Sequence, residues 1–202
     1  MIFGVAVIAV VPFLLSTFAA SVTVGTGSLE FGQGSQQAIA CDDTVYIALG
    51  EEWHGAPTPS DSSAGFFRVR TATISNLNLE TCAGRKLRLR MIDGTSAELA
   101  VGSTPEAKVL QVSLPKVVPQ SNITDAQALG LIYLTSQGQP IVGTLAANAF
   151  LNVSGTSVYD GTQLSSTSAD VTFYLDSTST LVNIDGAQVR RATVETVNNP
   201  NQ

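Results

Sequence analysis

The sequence predicts a mainly β fold, a single β-sandwich of jelly-roll or immunoglobulin-like kind, and three observations carry that expectation. From Val22 onward, short runs of alternating apolar and polar residues recur, and a period of two sets one strand face toward a core. Turn-forming residues separate the runs, including Asp-Gly pairs at Asp93, Asp160 and Asp185, which supply the positive φ angles of tight hairpins. Val, Ile and Thr populate the runs, and their branched side chains suit a pleated surface. Many short strands with turn signals between them point to two packed sheets.

Strands are expected at 44–49, 66–75, 85–92, 107–114, 130–134, 170–175 and 187–197. The first reads TVYIAL, with Val45, Ile47 and Leu49 on one face. In FFRVR, Phe67 and Val69 alternate with Arg68 and Arg70; in KLRLRM, Lys86, Arg88 and Arg90 share one face and Leu87, Leu89 and Met91 the other. If these two strands pair, Arg68, Arg70, Arg88 and Arg90 form a basic stripe over a buried face. Such a stripe either meets an acidic surface, such as a neighbouring subunit, or is an ordinary solvated face. The later runs AKVLQVSL, GLIYL, DVTFYL and AQVRRATVETV complete the set. Only 124–134 is helix-capable, with Thr124 or Asp125 as its cap. The segment 50–65, GEEWHGAPTPSDSSAG, is the clearest long loop, because its prolines forbid a central strand. Within it, Trp53 beside His54 could stack on a sugar or a protein, or simply pin the loop to the sheet edge.

The chain opens MIFGVAVIAVVPFLLSTFAASVTVGTGS, with no charged side chain before Glu30. As a helix, the run from Ile2 to Ala20 roughly matches the hydrocarbon core of a bilayer, about 30 Å thick. Three readings compete. It could be a signal peptide cleaved after Thr17-Phe18-Ala19, although it lacks a basic n-region. It could be a membrane anchor, although no Lys or Arg flanks it. Or it could stay on the mature chain and pack against other copies in a filament.

In this layout the chain resembles the type IV pilin-like subunits, whose mature chains begin with an apolar helix and continue into an exported β-rich domain. The resemblance covers roughly the first twenty-two residues and the general layout. Val5 stands where many bacterial members carry a Glu, and no basic leader precedes Met1, which fits a mature sequence. The resemblance implies a filament core built from Ile2, Phe3, Val5, Val7, Ile8, Val10, Val11, Phe13, Leu14, Leu15 and Phe18. Pro12 would kink such a helix. The alternation Ser21-Val22-Thr23-Val24 equally permits an N-terminal donor strand that completes the sheet of the next subunit. The organisation expected is an assembly segment, 1–21, and one β-sandwich domain, 22–202.

Composition narrows the function. With 44% hydrophobic and 13% charged residues, the chain is not of the disordered class. A net charge of −6 repels phosphate backbones, so no nucleic-acid partner is expected. A zinc site needs about four ligands, and the chain offers one histidine, His54, and two cysteines. Cys41 and Cys82 are instead expected to form one disulfide, as suits an exported chain. Asp42, Asp43, Glu51 and Glu52 could gather around calcium, yet their spacing matches no EF-hand loop. A Ser-His-Asp triad would have to use His54 in its loop, without a GxSxG elbow. The glycines of VGTGSLEFGQG follow no phosphate-loop spacing, and nothing marks a glycosidase carboxylate pair. No enzyme activity and no cofactor are expected.

Two sequons, Asn122-Ile123-Thr124 and Asn152-Val153-Ser154, allow glycosylation if the exporting cell has the machinery. The expected function is therefore a noncatalytic extracellular filament subunit at the cell surface. Its partners would be copies of itself, covalent glycans and a membrane before assembly. The alternative is a secreted or tethered binding module, carbohydrate-binding or adhesive, with residues 1–20 as signal peptide or anchor.

Overall fold

The computed structural model describes residues 41–55, 65–143 and 145–199, together with the backbone of 19–23. Among the described residues, nine strands run in chain order: β1 Ala19–Thr23, β2 Thr44–His54, β3 Phe66–Asn78, β4 Lys86–Ile92, β5 Val109–Ser113, β6 Ile132–Leu134, β7 Asn148–Asn152, β8 Ser168–Tyr174 and β9 Arg191–Val197. They form two antiparallel sheets, β1-β2-β3-β8-β7 and β6-β5-β4-β9. Most neighbours are consecutive in sequence, and the chain changes sheet after β3, β6 and β8.

The alternation explains where the core lies. Ala72 and Ile74 of β3 and Val171 and Phe173 of β8 point the same way across the first sheet. Leu87, Leu89 and Met91 of β4 and Leu110 and Val112 of β5 do so in the second. All join one buried cluster, so the two sheets share a core. Phe173 is its largest fully buried side chain, and truncating a residue of that kind typically costs about 3–5 kcal/mol. β5 is buried on both faces. The turn after β6 lies against arginines of β4: Ser136 supplies its carbonyl to Arg90 at 3.1 Å, and Gly138, at φ +80°, lies beside the Arg88 guanidinium.

Several expectations need correction. β7 was not anticipated, because Asn and Ala are weak strand formers and only pairing with β8 makes NAFLN a strand. In the helix-capable stretch 124–134 only a short turn forms, and β6 follows it. Asp125, not Thr124, caps the turn, its carboxylate accepting the Gln127 amide at 2.8 Å. Gly130, at φ +56°, then ends the turn before β6. Of the three Asp-Gly pairs, only Gly161 takes a positive φ, +70°. At Asp93 the carboxylate accepts the Thr95 and Ala97 amides, and Ser96 carries the left-handed angle, +69°. Asp185 caps a 3-10 turn, Gly186–Gln188, which occupies the start of the strand expected at 187–197.

At the N-terminus, Ala19 and Ala20 belong to a strand, so the apolar helix expected through Ala20 does not include them. β1 also straddles the boundary drawn between 21 and 22. Ile2, Phe3, Val5, Val7, Ile8, Val10, Val11, Phe13, Leu14, Leu15 and Phe18 lie outside the described residues.

The expected disulfide is present. Cys41 and Cys82 are bonded with Cα atoms 5.0 Å apart, and Cys82 is fully buried. The bond ties the entry to β2 to the turn after β3, closing a sequence separation of 41. A loop of that size contributes about 4 kcal/mol on the chain-entropy estimate. Replacing both cysteines by Ala should therefore lower the urea-unfolding free energy by several kcal/mol. A loss below about 1 kcal/mol would show that the closed loop hardly constrains the unfolded chain.

Candidate functional site

β2 and β3 are longer than their neighbours, and the excess forms an arm. β1 pairs with β2 only from Thr44 to Ala48, and β8 reaches β3 only as far as Thr71. Beyond that, Glu51 to His54 pair with Val69 to Phe66 alone within the ladder. A bulge at Gly50/Glu51 starts the arm, and bulges of this kind bend and twist a strand pair. Gly50 is required there, since a β-carbon would collide with the Thr71 hydroxyl. The four residues Glu51, Glu52, Trp53 and His54, expected in a loop, are thus strand residues; residues 56–64 lie outside the described ones.

The arm carries exposed aromatic surface. Trp53 is 60% and Phe67 54% exposed, although their rings meet edge to face at 5.2 Å. His54 meets Phe66 the same way at 5.3 Å. The β3 side of the arm is covered: Val69 donates to the Ile184 carbonyl at 2.8 Å, and Arg68 bridges to Asp185. On the β2 side, no strand among the described residues pairs beyond Ala48.

Charges pack at the base of the arm. Arg68 donates to the Glu52 carboxylate and to Asn183 Oδ1 at 3.0 Å. Arg70 lies 3.2 Å from Glu52 and donates to the Leu175 carbonyl at 3.2 Å. Burial, with Arg68 alongside, pulls the Arg70 guanidinium below the usual arginine range. Glu51 lies against Gly186, where a β-carbon would fall onto its carboxylate. Burial and the nearby Asp185 push the Glu51 carboxyl above its ordinary range.

The basic stripe expected across Arg68, Arg70, Arg88 and Arg90 does not form, because β3 and β4 lie in different sheets. Arg88 and Arg90 instead share Glu195 on β9, at 3.3 and 3.1 Å. Arg88 also donates to Gln111 at 2.8 Å, and Arg90 to Glu98 at 2.8 Å. Glu195 falls opposite Arg88 in the β4–β9 register. Glu98 and Glu195 went unread in the sequence, and Glu52 was considered only for calcium, because only the fold brings these carboxylates to the arginines.

The remaining candidates divide among other places. Asp42 accepts the Thr44 and Asn78 amides at 3.0 and 2.6 Å at the opposite end of β2 from Glu51 and Glu52. The four carboxylates considered for calcium therefore do not gather, and no group of three or more His, Cys, Asp or Glu among the described residues could hold a metal. The two sequons are brought together by the bridge between Ile123 and Leu151. Asn122 Oδ1 accepts the Val153 amide at 2.9 Å and the Ser154 hydroxyl at 3.1 Å. Asn122 is exposed, and Asn152 is half-buried on β7. A polar cavity of about 160 Å³ lies beside the stacked rings of Tyr46 and Tyr159, 3.7 Å apart. Its walls are spoken for: Ser157 and the Asn76 amide turn to the buried Asp170, and Thr162 turns to Asp160.

No protein-family model, no curated protein and no solved structure matches this chain. The β2 edge beyond Ala48, unpaired among the described residues and flanked by exposed aromatic rings, is the feature of the described surface best suited to recognition.

Two substitutions test the electrostatics. Reversing Arg88→Glu with Arg90→Glu would set both positions against Glu98 and Glu195. It should lower unfolding free energy by about 2 kcal/mol or more, where a solvated face would leave it nearly unchanged. For Glu51, a raised carboxyl pKa means that folding favours the protonated form, so ionisation at neutral pH opposes folding. Glu51→Gln should therefore raise the melting temperature at pH 7. The gain should vanish below the ordinary carboxyl pKa, about 4.3. A gain that persisted at pH 3 would trace to packing instead.

Proposed function

We propose that the chain is a noncatalytic structural subunit of an extracellular filament, joined to its neighbours through its N-terminal segment. The observation that supports this is β1, a five-residue strand on the edge of the first sheet with residues 24–43 between it and β2. A copy of β1 from a neighbouring chain would satisfy the same backbone groups on β2, as in strand addition and domain swapping. The exchange leaves the ladder's hydrogen bonds unchanged, so its driving force must come from elsewhere. The uncharged residues 1–18 supply it, at roughly 25 cal/mol per Å² of apolar surface buried. That burial offsets the entropy lost in association.

Within the pilin-like resemblance, a strand at 19–23 favours assembly by strand addition over a core of packed helices. The finer fold reading is a β-sandwich, built from short meanders that change sheet three times. Before assembly the apolar segment would rest in a membrane. Glycans on Asn122 and Asn152 would then decorate the filament surface.

A second reading is favoured by Trp53, whose exposed ring could stack on a sugar. There the chain is a secreted or tethered binding module, and residues 1–20 are a signal peptide or an anchor. Cleavage after Ala20 would remove Ala19 and Ala20 and leave only Ser21, Val22 and Thr23 of β1.

Mass spectrometry of the exported protein should find the N-terminal residue at or near Met1; a start at Ser21 would favour the binding module. Replacing Val7 and Val10 by Asp should abolish filaments seen by electron microscopy and leave the circular dichroism of the folded domain intact, since an unpaired buried carboxylate is costly. Normal filaments from that variant would remove the opening segment from assembly.

A further inference from the structure

We infer that the free edge of the arm is a docking groove for residues 13–18, which continue β1 antiparallel along β2 as far as His54. This deepens the filament reading, on which its importance rests, by naming the surface that receives the segment. The first observation is the edge itself. β2 runs on from Ala48 through Leu49 to His54, while β1 is followed only to Ala19. Among the described residues no strand pairs with this edge, and an edge of that length pairs readily with another extended segment.

The second observation is direction. β1 runs antiparallel to β2, so the chain upstream of Ala19 heads toward the arm. Carrying the β1–β2 register upstream sets Phe18 opposite Leu49, Thr17 opposite Gly50 and Ser16 opposite Glu51. It then sets Leu14 opposite Trp53 and Phe13 opposite His54. Leu49 packs against the core, so Phe18 would extend an apolar row. Leu14 would join the pair of Trp53 and Phe67, which face each other across the β2–β3 ladder and are the most exposed aromatic residues of the arm. Cross-strand pairs between aromatic and apolar side chains stabilise a sheet.

The third observation comes from the sequence and is independent of the exposed rings. In the same register Pro12 falls opposite Gly55, the residue that follows the end of β2. Proline has no amide to donate to a ladder, so it ends a strand. The segment from Pro12 to Ala19 thus has the length of the uncovered edge. This gives Pro12 a role other than kinking a helix.

Paired cysteines test the groove in the full-length protein under mild oxidation. Leu14→Cys with Trp53→Cys should cross-link about as completely as the reference pair Ala19→Cys with Ala48→Cys. It should do so about tenfold more than Leu14→Cys with Val142→Cys, a remote exposed site. Peptide mapping separates the new bond from Cys41–Cys82. If Leu14→Cys with Trp53→Cys links no better than the remote pair while the reference pair links, the inference is overturned. The mass of the product tests the filament reading separately. Links between chains support strand exchange; links only within one chain keep the groove and remove the exchange. A second measurement needs no cysteine. Leu15→Pro should speed hydrogen exchange of alternate amides between Leu49 and His54 by about tenfold, and unchanged protection there would also overturn the inference.

Discussion

The antiparallel ladder between β2 and β3 is the constraint on which the rest of the structure depends. It is the longest pairing among the described residues, running from Tyr46↔Ser75 to His54↔Phe66. β1 attaches to one side of it and β8 to the other. The disulfide pins its base, where Cys41 precedes β2 and Cys82 follows β3. Because the flanking strands cover only the half near that base, the ladder divides into a buried half and a projecting one. The buried half contributes Val45, Ala72 and Ile74 to the core. The projecting half keeps Val69 buried at its base and exposes Trp53 and Phe67.

Electrostatics follows the same division. Four of the ten basic residues form ion pairs within the chain. Arg68 and Arg70 gather on Glu52 at the arm; Arg88 and Arg90 share Glu195 on the outer face of the second sheet, where Arg90 also meets Glu98. The second network is half-covered by the turn through Ser136 and Gly138. Side chains held this way lose their rotamer freedom to one another, which lowers their value as a contact surface for another molecule. The arm itself presents aromatic surface in Trp53 and Phe67.

Legibility varied by element. Strands whose own alternation matched their burial, such as 44–49 and 86–92, could be read directly: Val45, Ile47, Leu87, Leu89 and Met91 are buried. β7 could not, because NAFLN becomes a strand only by pairing with β8. The arm was misread as a loop, since the prolines at 57 and 59 follow in sequence the strand that ends at His54 and do not interrupt it. The disulfide was legible by elimination, as the chain has two cysteines and nothing that would make them metal ligands.

The sequence by itself determined the class of the fold, because a period-two pattern with turn residues buries one strand face whatever the topology. It also determined the uncharged N-terminus and the cysteine pair. Tertiary structure alone decided which strands are neighbours. β3 and β4 adjoin in the chain yet lie in different sheets, so the four arginines never form one stripe. It also decided that Glu195, 105 residues from Arg90, is its counter-ion. Alternation states which face of a strand is buried, but the partner across a ladder depends on chain crossovers that carry no local signal.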